Sequence, residues 1–146
     1  QGQMFVGLTN RGWSSLGSSS YGLQRLVWTG EIPFEIQEMH ARPDGFELVF
    51  TRPVNQQSAA DLKSYRMKNY TYLLQAKYGS PEILTERNEV REVTVSADGL
   101  RVKLVVDGLR AGYVHELNCV NLKSQMGDTL LHPNGYYTLN RIPSEP

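Results

Sequence analysis

The feature that most constrains this chain is a repeated alternation of apolar and polar residues, cut short each time by a turn. Phe46, Leu48 and Phe50 alternate with Glu47, Val49 and Thr51, and Leu100, Val102, Leu104 and Val106 alternate with Arg101, Lys103 and Val105. A period of two puts one set on one face of a strand, whereas a helix would scatter it around the axis. Arg42-Pro43-Asp44-Gly45, Asp98-Gly99 and Asp107-Gly108-Leu109 are turn signals, because Pro presets one dihedral, Gly tolerates the left-handed region and Asp bonds its own backbone. Further strands are expected over Phe34 to Ala41, Tyr65 to Tyr72, Val90 to Val95, Tyr113 to Val120 and Gly135 to Leu139. Six or seven short strands in roughly 110 residues predict an all-β fold, an Ig-like or fibronectin-III-like antiparallel β-sandwich. Its inward positions are expected to include Phe46, Leu48, Phe50, Val102, Leu104, Leu117 and either Val114 or His115. One helical turn is expected at Ser58-Ala59-Ala60-Asp61-Leu62, started by Ser58 as its cap. Leu73 to Asn88 reads as a long connection, the kind of place where recognition is built.

The first 30 residues read differently. Met4 to Leu8 and Gly22 to Trp28 are apolar strand candidates, separated by a Gly- and Ser-rich loop, and Ile32-Pro33 punctuates the chain like a linker. Residues 1–30 and 31–146 are therefore expected to be separate pieces. The opening Gln1-Gly2-Gln3, with no charged and apolar leader behind it, reads as the start of a piece of a larger protein.

Composition removes several functions. Lys plus Arg number 15 and Asp plus Glu number 15, so the chain has no bulk electrostatic grip on nucleic acid or an anionic membrane. The single Cys119 excludes an intrachain disulfide and a multi-cysteine metal site. No apolar run approaches the roughly 20 residues that span a bilayer.

No chemistry-bearing constellation emerges. His40, His115 and His132 lack the short spacing of a metal motif. Cys119 and His115 share a strand face but stand about 13 Å apart by strand rise, too far for a nucleophile and its base. The serines of Leu16-Gly17-Ser18-Ser19-Ser20 have no following helix to make a nucleophile elbow. Asp44, Asp98, Asp107 and Asp128 sit at turns without converging like a calcium loop, and no pair of carboxylates stands out as a glycosidase pair. The reading is that no residue is catalytic, none holds a metal and none binds a cofactor.

The aromatic residues leave two readings open. Tyr65, Tyr70, Tyr72 and Tyr78 cluster along one stretch. Flat rings pack in sandwich cores, and they also stack on sugars. Tyr70, Tyr72 and Tyr78 are the candidate ligand contacts. Trp13, Trp28 and Phe34 are the candidates for packing between the first segment and the sandwich. Arg11, Trp13 and Arg25 form a small basic and aromatic group without the charge that nucleic-acid binding needs. Asn69-Tyr70-Thr71 matches a glycosylation sequon, a pattern common by chance.

Two stretches carry a family resemblance. Asp44 to Val54 with Ala59 to Tyr65, then Val95 to Leu104 and Leu109 to Leu117, resemble bacterial Ig-like domains of the S-layer type, with Gly127-Asp128-Thr129-Leu130 as the closing loop. Arg11-Gly12-Trp13, Tyr21 to Gly30, Pro33 to Ile36 and Tyr137 to Pro143 resemble the C-terminal region of large secreted bacterial proteins in which a glucose/sorbosone-dehydrogenase-like quinoprotein β-propeller comes first, with haem c or carbohydrate-related domains attached. The resemblance implies that residues 1–30 are the last propeller strands and their exit loop, and that residues 31–146 are an appended Ig-like module. It implies a non-catalytic accessory or spacer module of a secreted, periplasmic or cell-surface protein, whose partners are neighbouring domains of its own chain and whose parent is a sugar dehydrogenase. The alternative is a carbohydrate-binding module that uses the tyrosine-rich stretch 65–88, with carbohydrate as its partner.

Overall fold

The computed structural model describes residues 3–10, 12 and 18–144. They fall into two compact units, Gln1–Glu31 and Ile32–Pro146. In the first, β1 (Met4–Leu8) pairs antiparallel with β2 (Gly22–Leu26), Met4 opposite Leu26 and Leu8 opposite Gly22. In this hairpin the two strands satisfy each other's backbone groups directly.

The second unit holds β3 (Ile36–Arg42), β4 (Gly45–Phe50), the short helix α1 (Gln56–Ala60), a 3₁₀ turn (Leu62–Ser64), β5 (Tyr65–Tyr72), β6 (Glu82–Asn88), β7 (Val90–Val95), β8 (Arg101–Val106), β9 (Tyr113–Cys119) and β10 (Asn134–Leu139). The strands form two four-stranded antiparallel sheets, in the orders β3-β4-β8-β7 and β10-β9-β5-β6. With β6 set aside, this is the strand order of the ABED and GFC sheets of an immunoglobulin sandwich.

The alternation does what the sequence demands. Phe46, Leu48, Val102, Leu104 and Leu117 are fully buried and Phe50 nearly so. Phe34 precedes β3 and stacks on Phe50 at 5.7 Å, inside this same core. At the inward position left open on β9, the structure selects His115, which is fully buried, over Val114.

Two expectations are corrected. The helix begins two residues before Ser58, and its cap is Asn55, whose side-chain oxygen accepts the Ser58 amide at 2.9 Å. Ser58 lies inside the helix instead of before it, and its hydroxyl donates back to the Asn55 carbonyl at 3.1 Å. Leu73 to Asn88 is not one long connection: residues 73–81 alone join the expected strand β5 to β6, an edge strand whose register slips beside Leu84, the one non-glycine residue at positive φ (55°) among the described residues.

The first and last strands of the sandwich begin at the same end. The Leu131 amide donates to the Phe34 carbonyl at 3.2 Å, and His132 Nδ1 meets Glu35 Oε1 at 2.5 Å. Two residues into β10, Gly135 lets Met39 approach so closely that a Cβ there would lie 3.3 Å from Met39 Sδ.

Candidate functional site

The outward face of β10-β9-β5-β6 is where the candidate residues lie. Inward Tyr65, Met67 and Asn69 on β5 leave Arg66, Lys68, Tyr70 and Tyr72 outward. Cross-strand pairing then fixes their neighbours: Arg66 opposite Asn118, Lys68 between Glu116 and Arg87, Tyr70 opposite Val114, and Tyr72 opposite Glu82. On β10, Tyr136 lies opposite Glu116 and is exposed.

Of the sequence candidates, the structure brings two rings together. Tyr70 and Tyr72 meet edge to face at 5.6 Å, and the Lys68 ammonium stands 5.0 Å over the Tyr70 ring. Tyr70 is only 3% exposed, whereas Tyr72 is 50% exposed. Burial first, then Tyr72 and the charges of Glu82 and Glu116, push the Tyr70 hydroxyl well above its ordinary value. Tyr78 is fully exposed on the 73–81 loop and makes no ring contact among the described residues. Trp28 follows β2 and is exposed, Phe34 lies in the sandwich core, and Trp13 and Arg11 lie outside the described residues.

Beside the tyrosines a groove of about 690 Å³ runs across β5, β6 and β9, with Arg66, Lys68, Glu86, Arg87, Glu89 and Glu116 among its lining residues. Lys68 bridges Glu116 at 3.0 Å and Glu82 at 3.6 Å.

The other titratable candidates are bound into structure. Cys119 is buried, and burial pushes its thiol up to about 12. Asp44 pairs with Lys103 at 2.8 Å, Asp128 with Arg52 at 3.0 Å, and Asp107 with Arg91. Asp98 accepts from the Ser96 hydroxyl at 2.5 Å and the Leu100 amide at 2.9 Å. His40 lies against Glu38 at 2.7 Å. Among the described residues, no three His, Cys, Asp or Glu side chains gather as a metal site would require.

The sequence reading missed a buried polar network. Asn69 donates to Asn88 at 3.0 Å, and Asn88 donates to the Asp107 and Gly108 carbonyls at 2.9 Å each. Arg110 lies 3.7 Å over the Tyr113 ring, pairs with Glu86 at 3.0 Å and reaches the Leu84 carbonyl at 3.3 Å. The network holds the β8–β9 turn against β5 and β6. One signal was available: Asn69 occupies an inward position after Tyr65 and Met67, where an apolar residue belongs.

No family model matches the chain, and no curated protein does. Solved structures do. The surface layer protein SbsC, in a structure of its domains 1–6, matches with a TM-score of 0.56 and 18% identity over 75% of this chain. A structure of the N-terminal part of the bacterial S-layer protein SbsC matches with a TM-score of 0.55, also at 18% identity over 75% of this chain. At that identity the likeness is one of fold. This chain spans 14% of the first structure's length and 24% of the second's.

Proposed function

We propose that this chain is a non-catalytic Ig-like module of a larger multidomain protein of the bacterial cell surface or extracellular space, where it spaces and packs neighbouring domains. The observation that carries this reading is the fold shared with an S-layer protein, where the match covers only 14% of a structure of its domains 1–6. The chemistry is consistent with it, since the acidic and thiol candidates are committed to ion pairs, turns or the core. The test is replacement. In the longer protein that carries it, this module should be exchangeable for an unrelated sandwich of equal end-to-end length with surface assembly retained. Loss of assembly on exchange would refute a spacer.

The resemblance of residues 1–30 to a propeller exit extends the proposal to a quinoprotein sugar dehydrogenase as parent. The longer protein should then oxidise sugars with a quinone cofactor and an artificial electron acceptor, and this chain alone should not.

A second reading, a carbohydrate-binding module, is favoured by one observation: Tyr72 and Tyr78 offer accessible rings at the base and on the length of one loop. Retention on a glycan array that is lost in both Tyr72→Ala and Tyr78→Ala would establish it.

A further inference from the structure

The two outer faces of the sandwich treat their charges differently. On the β3-β4-β8-β7 face the cations are spent: Arg42 and Arg101 both bond Glu47, at 2.7 and 3.1 Å, and Lys103 bonds Asp44. In the groove on the opposite sheet it is the anions that are spent. Glu116 is held by Lys68, Glu86 by Arg110 at 3.0 Å and Glu89 by Arg91 at 3.1 Å. Arg66 and Arg87 are what remains. Both line the groove and are exposed, and among the described residues neither makes an ion pair or a side-chain hydrogen bond. They project from adjacent strands on one face, Arg87 directly opposite Lys68 and Arg66 two residues before it.

We propose that this groove binds an acidic polypeptide segment, with Arg66 and Arg87 each taking a carboxylate. A guanidinium presents a planar fork of donors that matches a carboxylate in a bidentate pair, and two unpartnered forks in a groove of this volume are a recognition element. An extended peptide is favoured over the other polyanions. The groove is bounded by β6, an edge strand, and the outer backbone groups of an edge strand can pair with another strand. The one aromatic residue lining it, Tyr65, is buried and turned inward, so a sugar ring has no platform there. A chain of zero net charge whose groove offers two unpaired arginines among the described residues is poorly equipped for a nucleic-acid backbone. The assignment adds a partner to the module reading, and its failure would leave a spacer intact, because spacing needs no groove.

The test is fluorescence anisotropy on the full chain with labelled peptides (Glu-Thr)₅, (Gln-Thr)₅ and (Lys-Thr)₅, with an oligogalacturonate as the carboxylated sugar. The expected result is binding of (Glu-Thr)₅ alone, weakened by added salt. The double variant Arg66→Gln/Arg87→Gln should weaken it at least tenfold, and Arg87→Lys, which keeps the charge but loses the fork, should fall between. Arg101→Gln, on the other sheet, should bind as the parent does. Melting temperatures within error of the parent's would confirm that the variants are folded. Absence of (Glu-Thr)₅ binding at millimolar protein, equal binding of (Lys-Thr)₅, or indifference to the double variant would each overturn the proposal. Oligogalacturonate binding at least as tightly, and lost in the double variant, would overturn the peptide assignment in favour of an acidic glycan.

Discussion

The imidazole of His115 and the ring of Phe46 lie 5.4 Å apart, tilted by 50°, so that β9 and β4 meet through an ionisable group at the centre of the sandwich. The Arg110 amide approaches Nε2 at 3.4 Å, while Nδ1 is buried with no hydrogen-bond partner among the described residues. Burial first, and the Arg110 charge with it, hold the imidazole below its ordinary value of 6.5, partly offset by the Tyr113 backbone.

Stability should therefore fall in mild acid. The folded value is the lower one, so below about pH 6.5 the unfolded chain takes up a proton that the folded chain refuses. The stabilisation is complete above that pH and declines as the pH drops toward the folded value, by up to about 1.4 kcal/mol per pH unit. Urea midpoints at pH 7.5 and 5.5 should show the decline, and His115→Phe should flatten it. An equal slope in the variant would place the titration elsewhere.

Gly45 should tolerate no side chain. A Cβ there would lie 1.9 Å from the Leu104 carbonyl oxygen, and that atom is backbone in the neighbouring strand, which cannot swing aside. Gly45→Ala should cost about 3 kcal/mol by denaturant unfolding. Gly7→Ala, in the β1–β2 hairpin with nothing within 4 Å of its Cβ, should stay within about 0.5 kcal/mol.

Leu104 is fully buried in mid-strand between Lys103 and Val105. Leu104→Ala should cost roughly 2–5 kcal/mol, the range for a buried truncation that leaves a cavity. Differential scanning calorimetry checks it, and an unchanged midpoint would contradict the packing.

Cys119 should be inert in the folded chain. A thiol held near 12 is almost wholly protonated at pH 8, and only the thiolate attacks. Ellman's reagent at pH 8 should label it at the rate of unfolding, and immediately in 6 M guanidinium.

What the sequence disclosed follows from which forces are local. Phe46, Leu48, Phe50, Val102 and Leu104 were legible because burial on one face imposes a period of two. β6 was hidden because an edge strand has little to bury: in Glu82–Asn88 only Asn88 is buried, and the bulge at Leu84 breaks whatever alternation remained. The helix cap was misplaced because Ser58 is itself a good capping residue, whereas the chain turns into the helix at Asn55, three residues earlier. The candidate tyrosines were visible as a cluster, but their separation into a covered Tyr70 and accessible Tyr72 and Tyr78 depends on cross-strand neighbours. The Asn69–Asn88–Arg110 network joins residues up to 41 positions apart, and the polar Asn69 at an inward position signals a buried partner without saying which one.

The shared starting end of β3 and β10 has a mechanical consequence. Phe34 lies beside Leu131 where both strands begin, so a chain that enters at Phe34 and leaves past Leu139 crosses the sandwich lengthwise. Tension applied through those two points runs parallel to the strands. It loads the rungs of each ladder together, in shear, instead of peeling them one at a time as pulling on a single hairpin would. A row of such units would behave as stiff links joined by short hinges, yielding at its joints long before its sheets come apart.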